Sequence, residues 1–409
     1  MYYYKKYKDF LIRRIFDMLT LFYKPDKGRL KKTLSYCSEN IDFYKGKGSV
    51  LEGYDFIDKK VLMDNFERFT KKGFSIKNTG MTSGTTGTPG KFFRDIKSMA
   101  MEQYFQEKYF KWRGTYRIIF RGERLFDSSY DLDKIYKTIP FIREMYVSSF
   151  HINDRSLKNL VERIKGIPEK SLWAYPSSAY MLAEYCLRNN EHIDFEVVAL
   201  SSEMLMDYQR KTIEKAFNCI IKDWYGQAER VAALVRCEYG SYHEIEGYSN
   251  IEYVPAVDNM LEISGTTLYN KVMPLVRYNV HDLVELSDKA CSCGNKGRNI
   301  VKIHGRNNSF VELPNSKLHE TTLAFLFKGM ENIVEAQIIQ RLDKKIVIKV
   351  VKGGRFDEEN ETTLLKHISN FIPEGLFLIE YVDRIERDAR GKFRYVINEA
   401  LNNARNDVS

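Results

Sequence analysis

The residues best suited to chemistry lie in one short run, Thr82-Ser83-Gly84-Thr85-Thr86-Gly87-Thr88-Pro89-Gly90-Lys91. Glycines let backbone N–H groups approach an anion closely, and the hydroxyls and the ammonium add donors. Such a loop can wrap the β- and γ-phosphates of ATP. It is not a Walker loop, which has four residues between its glycines and a Ser or Thr after the lysine. Gly84 and Gly90 enclose five residues, and Phe92 follows Lys91. Nor is it a GxGxxG dinucleotide fingerprint. A plain surface loop is the alternative, which the density of hydroxyls and glycines disfavours.

A second cluster joins Cys291-x-Cys293, beside Gly294, to Cys237 and His243 upstream. Three thiolates and one imidazole suit a tetrahedral structural zinc, with no position left open for catalysis. The metal would tie the turn that follows Asp282 to the segment that follows Glu229. CxC is a weaker pattern than a paired CxxC, so two unrelated loops with reduced cysteines are the alternative. Cys37, Cys186 and Cys219 are isolated, and a cytosolic chain of 409 residues needs no disulfides. His151, His192, His304, His319 and His367 show no usable pattern.

These residues need a scaffold. Residues 3–23 read as an amphipathic helix through Phe10, Leu11, Ile15, Met18, Leu19 and Phe22. Further helices are expected over 51–72, 95–113, 154–165 and 174–188, the last opened by Pro176-Ser177-Ser178. Val197–Leu200, Cys219–Trp224 and Ile300–Ile303 read as strands, and their alternation with helices predicts an α/β architecture. Near the C-terminus, Ile333–Gln340 and Ile346–Val351 form a predicted hairpin turning at Asp343-Lys344. A helix at 357–371, a strand at 377–382, a charged loop at 386–392 and a polar tail follow. The expected division is a large nucleotide- and acyl-binding domain with mixed sheets at 1–305 and a small, mobile α+β lid domain at 306–409. Arg306–Ser309 is the hinge candidate.

Composition bounds the partners. The net charge is +9, from 64 basic and 55 acidic residues spread along the chain. That balance suits anionic substrates such as nucleotides. Nucleic-acid binding is not expected, because no recognised module accompanies the charge. No apolar run is long enough to span a bilayer, and Asp9, Arg13, Arg14 and Asp17 interrupt the N-terminal stretch, so a cytoplasmic protein is expected.

The glycine-hydroxyl loop resembles the signature of the adenylate-forming superfamily: acyl-CoA synthetases, peptide-synthetase adenylation domains and luciferases. The resemblance continues in order through the chain. Trp224-Tyr225-Gly226-Gln227-Ala228-Glu229 is similar to the YGxTE motif, and Arg277-Tyr278-Asn279-Val280-His281-Asp282-Leu283 to the YRTGD motif. Gly305-Arg306 resembles the GR of the domain junction, and Arg390-Gly391-Lys392-Phe393-Arg394 the C-terminal GK motif. Phe56–Leu62, Ala174–Ser178 and Ser201-Ser202-Glu203 resemble the phenylacetate–CoA ligase branch, which includes capsule-biosynthesis relatives. That branch carries similar Cys and His positions. The cover is residues 30–398.

The resemblance implies ATP-dependent activation of a small carboxylic acid as acyl-AMP, with release of pyrophosphate. It implies that Thr82, Ser83, Gly84, Thr85, Thr86, Gly87 and Lys91 hold the pyrophosphate and that Glu229 holds Mg²⁺. Tyr225 and Gly226 would line the adenine, with Ser202 and Glu203 nearby, and Asp282 would accept hydrogen bonds from the ribose. Arg306 would reach the ribose or α-phosphate, and Lys392 would bridge the acyl carboxylate and the α-phosphate. The acid pocket would draw on the helix at 174–188, Leu200–Leu205 and the Tyr225 region, with Tyr175, Tyr180 and Met204 as contacts. Second-step acceptors are CoA, a carrier-protein thiol or an amine such as an amino sugar, which would suit surface-polysaccharide modification.

Departures from the pattern matter. Ala228 lacks the usual hydroxyl, His281 stands where the family has Gly or Arg, and Asn308-Ser309 replace acidic hinge residues. Val311–Ser316 replaces a glycine-rich stretch near the pantetheine tunnel, so adenylation is better supported than CoA transfer. The competing classes are a nucleotide-binding protein that has lost catalysis and a partner- or membrane-surface module using the basic aromatic N-terminus. That helix is expected to dock on its own domain instead.

Overall fold

The computed structural model describes Met18, Thr20, Tyr23 and residues 26–400, apart from 74–77, 82–90, 123–124, 127–132, 257–259, 307–309, 315, 320–322, 328–331 and 389–390. The described residues fall into two compact units. One comprises residues 18–81, 91–113 and 222–303; the other comprises 114–221 and 304–400. Most of the predicted helix at 3–23 and the hinge residues 307–309 lie outside the described residues.

In the second unit, Glu144–Ser148 and Val197–Ser201 are buried at every position. Strands covered on both faces read as unbroken runs rather than alternating ones. They join Tyr116–Arg121 and Lys170–Ala174 in a parallel arrangement, with Tyr136–Ile139 antiparallel at one side. Helices Asp154–Lys165, Pro176–Arg188 and Asp207–Phe217 supply Leu160, Ile164, Leu182 and Phe217 to the same core. The first is opened by a reciprocal cap in which Asn153 and Ser156 each accept the other's backbone N–H. The second begins with Pro176 in its first turn, where no N–H is needed.

The C-terminal part of this unit is a four-stranded sheet ordered Phe377–Tyr381, Ile346–Lys352, Ile333–Gln340, Val396–Asn398. Helix Glu358–Ser369 packs Leu364 and Ile368 into the cluster containing Ile338 and Ile348. Its first turn is acidic and its last basic, which complements the helix dipole. Val396–Asn398, expected as part of a polar tail, is instead a parallel strand beside Ile338–Gln340. Three residues are too few to show a period.

In the first unit, strands run in the order Ser249–Pro255, Leu261–Thr267, Tyr278–Ser287, Asn299–Arg306, Tyr242–Glu244, Ala233–Arg236, Ile220–Gly226. The first three strands pair antiparallel in turn, as do the last four. Asn78–Met81 pairs antiparallel with Lys91–Arg94, with Met81 opposite Lys91, so the glycine-hydroxyl run connects two paired strands. Helices Arg29–Asn40 and Ile96–Phe110 flank this region.

The single helix expected over 51–72 is corrected to a short 3₁₀ turn at Leu51–Gly53 and two helices, Lys59–Asp64 and Phe66–Phe69. Ile57 is drawn into a parallel bridge with Tyr278: its N–H donates to Arg277 O at 3.1 Å and its carbonyl accepts from Asn279 N at 2.7 Å. Asp58 then caps a fresh helix by accepting from Val61 N at 2.9 Å. Among the described residues, no helix is long and apolar enough to cross a membrane.

Candidate active site and metal centre

Three motif residues meet within the first unit. Tyr225 ends strand Ile220–Gly226, and its hydroxyl donates to Asp282 Oδ2 at 2.6 Å. Gln227 Nε2 donates to the Tyr225 hydroxyl at 2.9 Å, while Gln227 Oε1 accepts from Ala232 N at 3.2 Å. Asp282 is half-buried and fixed on strand Tyr278–Ser287. His281 and Arg277 both have positive φ, 58° and 51°. The departure at His281 therefore puts a side chain on a backbone in the left-handed form that glycine takes most easily. Asn279 Oδ1 accepts the His281 N–H at 2.8 Å and Glu262 faces its ring at 3.0 Å, which supports that conformation. Arg277 grips Glu252 with two nitrogens and lies 3.8 Å from the Phe56 ring centroid, so it holds the opening segment in place.

Glu229 follows in a turn that Arg230 closes at φ 58°. The Tyr278 hydroxyl donates to Glu229 Oε1 at 3.3 Å. Arg94, on the strand leaving the glycine-hydroxyl loop, donates to the Ala228 carbonyl. Its guanidinium passes over Gly80, where any Cβ would run into it. Burial pulls Arg94 down to about 10, the Arg230 charge adds to that, and Glu102, Tyr248 and Glu229 oppose it. Arg230 donates to Ser98 O at 3.0 Å and faces Glu102 at 3.6 Å. Lys91 is exposed, with its ammonium 4.9 Å from the Phe93 ring centroid.

This arrangement accompanies four likenesses to known proteins. Residues 311–399 match the CapK C-terminal domain family. Protein CapK of Staphylococcus aureus is 24% identical over 397 residues, covering 90% of this chain and 88% of that one. The structure of 2-hydroxyisobutyryl-CoA ligase with R3-HIB-AMP in the postadenylation state is 14% identical, with a TM-score of 0.66 and cover of 93% and 91%. The chain has the fold of the adenylate-forming ligases. The anthranilate CoA ligase AuaEII with anthranoyl-AMP shares that fold at 15% identity, TM-score 0.54, over 77% of this chain and 64% of that one.

The other adenylate-forming motif falls in the second unit. Lys392 sits in a turn closed on Asp388: Lys392 N donates to Asp388 Oδ1 at 3.0 Å and Asp388 N to Lys392 O at 2.9 Å. Gly391 has φ 70° and leaves no room for a side chain against Ser149, Gly122 and Phe150. Ser202 and Glu203 are engaged by protein groups. Arg121 Nη2 donates to Ser202 Oγ at 2.6 Å, and Glu203 accepts from the Ser177 and Phe393 N–H groups. Tyr180 belongs to the buried core, with its hydroxyl 3.5 Å from Ile333 O and its ring edge-on to Tyr208. Tyr175 is buried, with the Arg121 guanidinium 5.3 Å from its ring centroid. Met204 packs on the C-terminal core. Thr82, Ser83, Gly84, Thr85, Thr86 and Gly87 lie outside the described residues, as does the side chain of Arg306, whose backbone ends strand Asn299–Arg306.

Cys237, His243, Cys291 and Cys293 converge, their ligand atoms all within 4.8 Å of one another. Cys237 Sγ lies 3.7 Å from Cys291 Sγ, and Cys293 Sγ 3.2 Å from His243 Nε2. His243 Nδ1 is 3.2 Å from the Arg298 carbonyl. That contact fixes the tautomer with its proton on Nδ1 and leaves Nε2 for a metal, the usual outer-shell arrangement of a ligating histidine. Gly294, at φ 79°, lets its N–H turn back to Cys291 O at 3.1 Å. The donor set fits zinc.

Sequence reasoning missed Arg94, Arg121 and Arg387. Arg94 and Arg121 each end a short apolar run, a faint mark of a buried cation, whereas Arg387 is hidden among the charges of its loop. Their partners, a carbonyl at 228, a hydroxyl at 202 and a carboxylate at 335, are too distant in sequence to be matched by pattern.

Proposed function

We propose that the chain activates a carboxylic acid with ATP. A carboxylate oxygen bonds to the α-phosphorus, the α–β phosphoanhydride bond breaks, and acyl-AMP and pyrophosphate result. The observation carrying this reading is the Tyr225–Asp282 hydrogen bond beside Glu229, in a fold whose relatives hold acyl-AMP molecules. Asp282, oriented by Tyr225, accepts the two ribose hydroxyls. Tyr225 and Gly226 line the adenine; a side chain at Gly226 would run into the Trp224 indole, so the strand end keeps its shape only as glycine. Glu229 holds a magnesium ion, which supplies charge neutralisation to the phosphates. Residues 82–87 and Lys91 take the leaving pyrophosphate, and Arg306 takes the ribose or α-phosphate. Lys392 offsets the negative charge that gathers between carboxylate and α-phosphate. Residues 306–409 form the lid that carries it.

The acyl group then passes to a thiol, CoA or a carrier protein, a reading supported by the CoA ligases among the relatives. The alternative is an amine acceptor, such as an amino sugar, in surface-polysaccharide biosynthesis. Zinc at the Cys₃His cluster is structural, because four protein ligands close its coordination sphere. The test is ATP–pyrophosphate exchange over a panel of aryl, fatty, hydroxy and amino acids. Acid-dependent exchange is expected with one class. Its absence throughout, with nucleotide binding intact, would favour a protein that binds nucleotide without catalysis.

A further inference from the structure

Lys392 is gripped at the backbone on both sides. Ser149 Oγ donates at 3.0 Å to the Gly391 carbonyl, which belongs to the peptide preceding Lys392. Glu203 Oε1 accepts at 2.7 Å from the Phe393 N–H, which belongs to the peptide following it. The other oxygen of Glu203 accepts at 3.0 Å from Ser177 N, in the first turn of helix Pro176–Arg188. That N–H has no acceptor within its own helix, and a carboxylate there meets the positive end of the dipole. One carboxylate therefore fastens the Lys392 loop to a rigid helix.

Arg387 supports the same loop. Its guanidinium pairs with Glu335, both side chains being 8% exposed, and lies 5.0 Å from the Phe393 ring centroid. Burial pushes the Glu203 carboxyl up while the Arg387 charge and the two N–H groups hold it down. The Arg387 charge and the two N–H groups therefore favour the ionised carboxylate against the cost of its burial. Gly391 adds shape: a Cβ would collide with Ser149, so the loop seats only as glycine.

We propose that Glu203 and Ser149 form a latch that positions Lys392 for adenylation, with Glu203 acting as a positioning residue rather than a nucleotide contact. The inference rests on the proposed role of Lys392. The latch must open for any step in which Lys392 withdraws, because both bonds are made to the backbone on either side of it.

The test compares wild type, Glu203→Gln, Glu203→Asp and Ser149→Ala. Glutamine keeps one acceptor but turns an N–H₂ group toward the second N–H. The adenylation kcat should fall by about tenfold or more in Glu203→Gln, with KM for ATP within about twofold. Aspartate should restore part of the rate. Ser149→Ala should act in the same direction, and the double variant should lose less than the product of the two single effects. Hydrogen exchange of peptides covering 388–396 should rise in each slowed variant. That readout needs no acid, so it tests the latch even if no acid supports exchange. A raised KM for ATP at unchanged kcat, or unchanged exchange in 388–396, would overturn the proposal. If Glu203→Gln fails to fold, Ser149→Ala alone decides it by the same two measurements.

Discussion

The Tyr225 hydroxyl donates to the Asp282 carboxylate at 2.6 Å, and Gln227 donates to that hydroxyl at 2.9 Å. The pair joins the end of one strand to the middle of another, 57 residues apart in sequence. A hydrogen bond to a charged group contributes more than a neutral one, on the order of 1.5–3 kcal/mol. Tyr225→Phe should therefore raise KM for ATP by about tenfold while changing kcat little, since Asp282 remains but loses its orientation. Asp282→Asn should cost more, because it removes an acceptor of the ribose hydroxyls as well. Steady-state exchange kinetics in ATP check both. A Tyr225→Phe enzyme with unaltered KM would detach this pair from nucleotide binding.

Gly80 and Arg94 couple the strand before the phosphate loop to the turn carrying Glu229. The guanidinium reaches the Ala228 carbonyl only because residue 80 has no Cβ. Gly80→Ala should displace Arg94 and loosen Glu229. The Mg²⁺ concentration for half-maximal exchange should then rise by about tenfold, and Glu229→Gln should raise it further. A magnesium titration at saturating ATP measures this. An unchanged midpoint in both variants would remove Glu229 from the metal.

Much of this was legible in the sequence, and the part that was not has physical causes. Asp154–Lys165 and Ile333–Gln340 were read to the residue because their apolar periods are complete and their ends capped or turned. The fully buried strands Glu144–Ser148 and Val197–Ser201 are harder: without alternation a short run carries no period, and the first was missed. The stretch 51–72 was read as one helix, yet Ile57 within it is claimed by the backbone at Tyr278. Glu203 was placed near the nucleotide by resemblance alone; its bond to the backbone at 393 is invisible to any local pattern. The convergence of Cys237, His243, Cys291 and Cys293 was legible from residue type together with the resemblance, since three thiols and an imidazole form a ligand set suited to one metal.

One zinc per chain should co-purify, measured by elemental analysis. Cys291→Ser should lose it and lower the Tm by several degrees, since a metal that binds only the folded state stabilises it. Thiol labelling at pH 8 separates the six cysteines. The metal-bound protein should react at none. After chelation Cys237, Cys291 and Cys293 should react, and Cys37, Cys186 and Cys219 only in denaturant. Burial pushes each of these last three thiols up to about 12, leaving little thiolate at pH 8. Full reactivity without chelation would dismiss the zinc.

The same three thiols set an alkaline limit. Their folded pKa lies above the unfolded value of 9.0, so the stability they contribute is complete below pH 9 and declines as pH rises toward about 12. The unfolded chain releases those protons first. Cys37→Ala should be less stable than wild type at pH 7, through a small cavity, but should lose less of its Tm between pH 8.5 and 10.5. Parallel slopes over that interval would mean that Cys37 ionises alike in both states.

Lys392→Ala separates the two half-reactions. The ammonium is needed where negative charge gathers on the acyl carboxylate and α-phosphate, and charge stabilisation of this kind is worth about 10²–10³ in rate. Acid-dependent exchange should fall by that factor. Transfer from separately supplied acyl-AMP to the acceptor makes no such demand and should stay within about threefold of wild type. The backbone bonds of residue 392 to Asp388 do not involve its side chain, so they remain available in the variant. If exchange survives while transfer fails, Lys392 belongs to the second step and the assignment of the lid lysine is reversed.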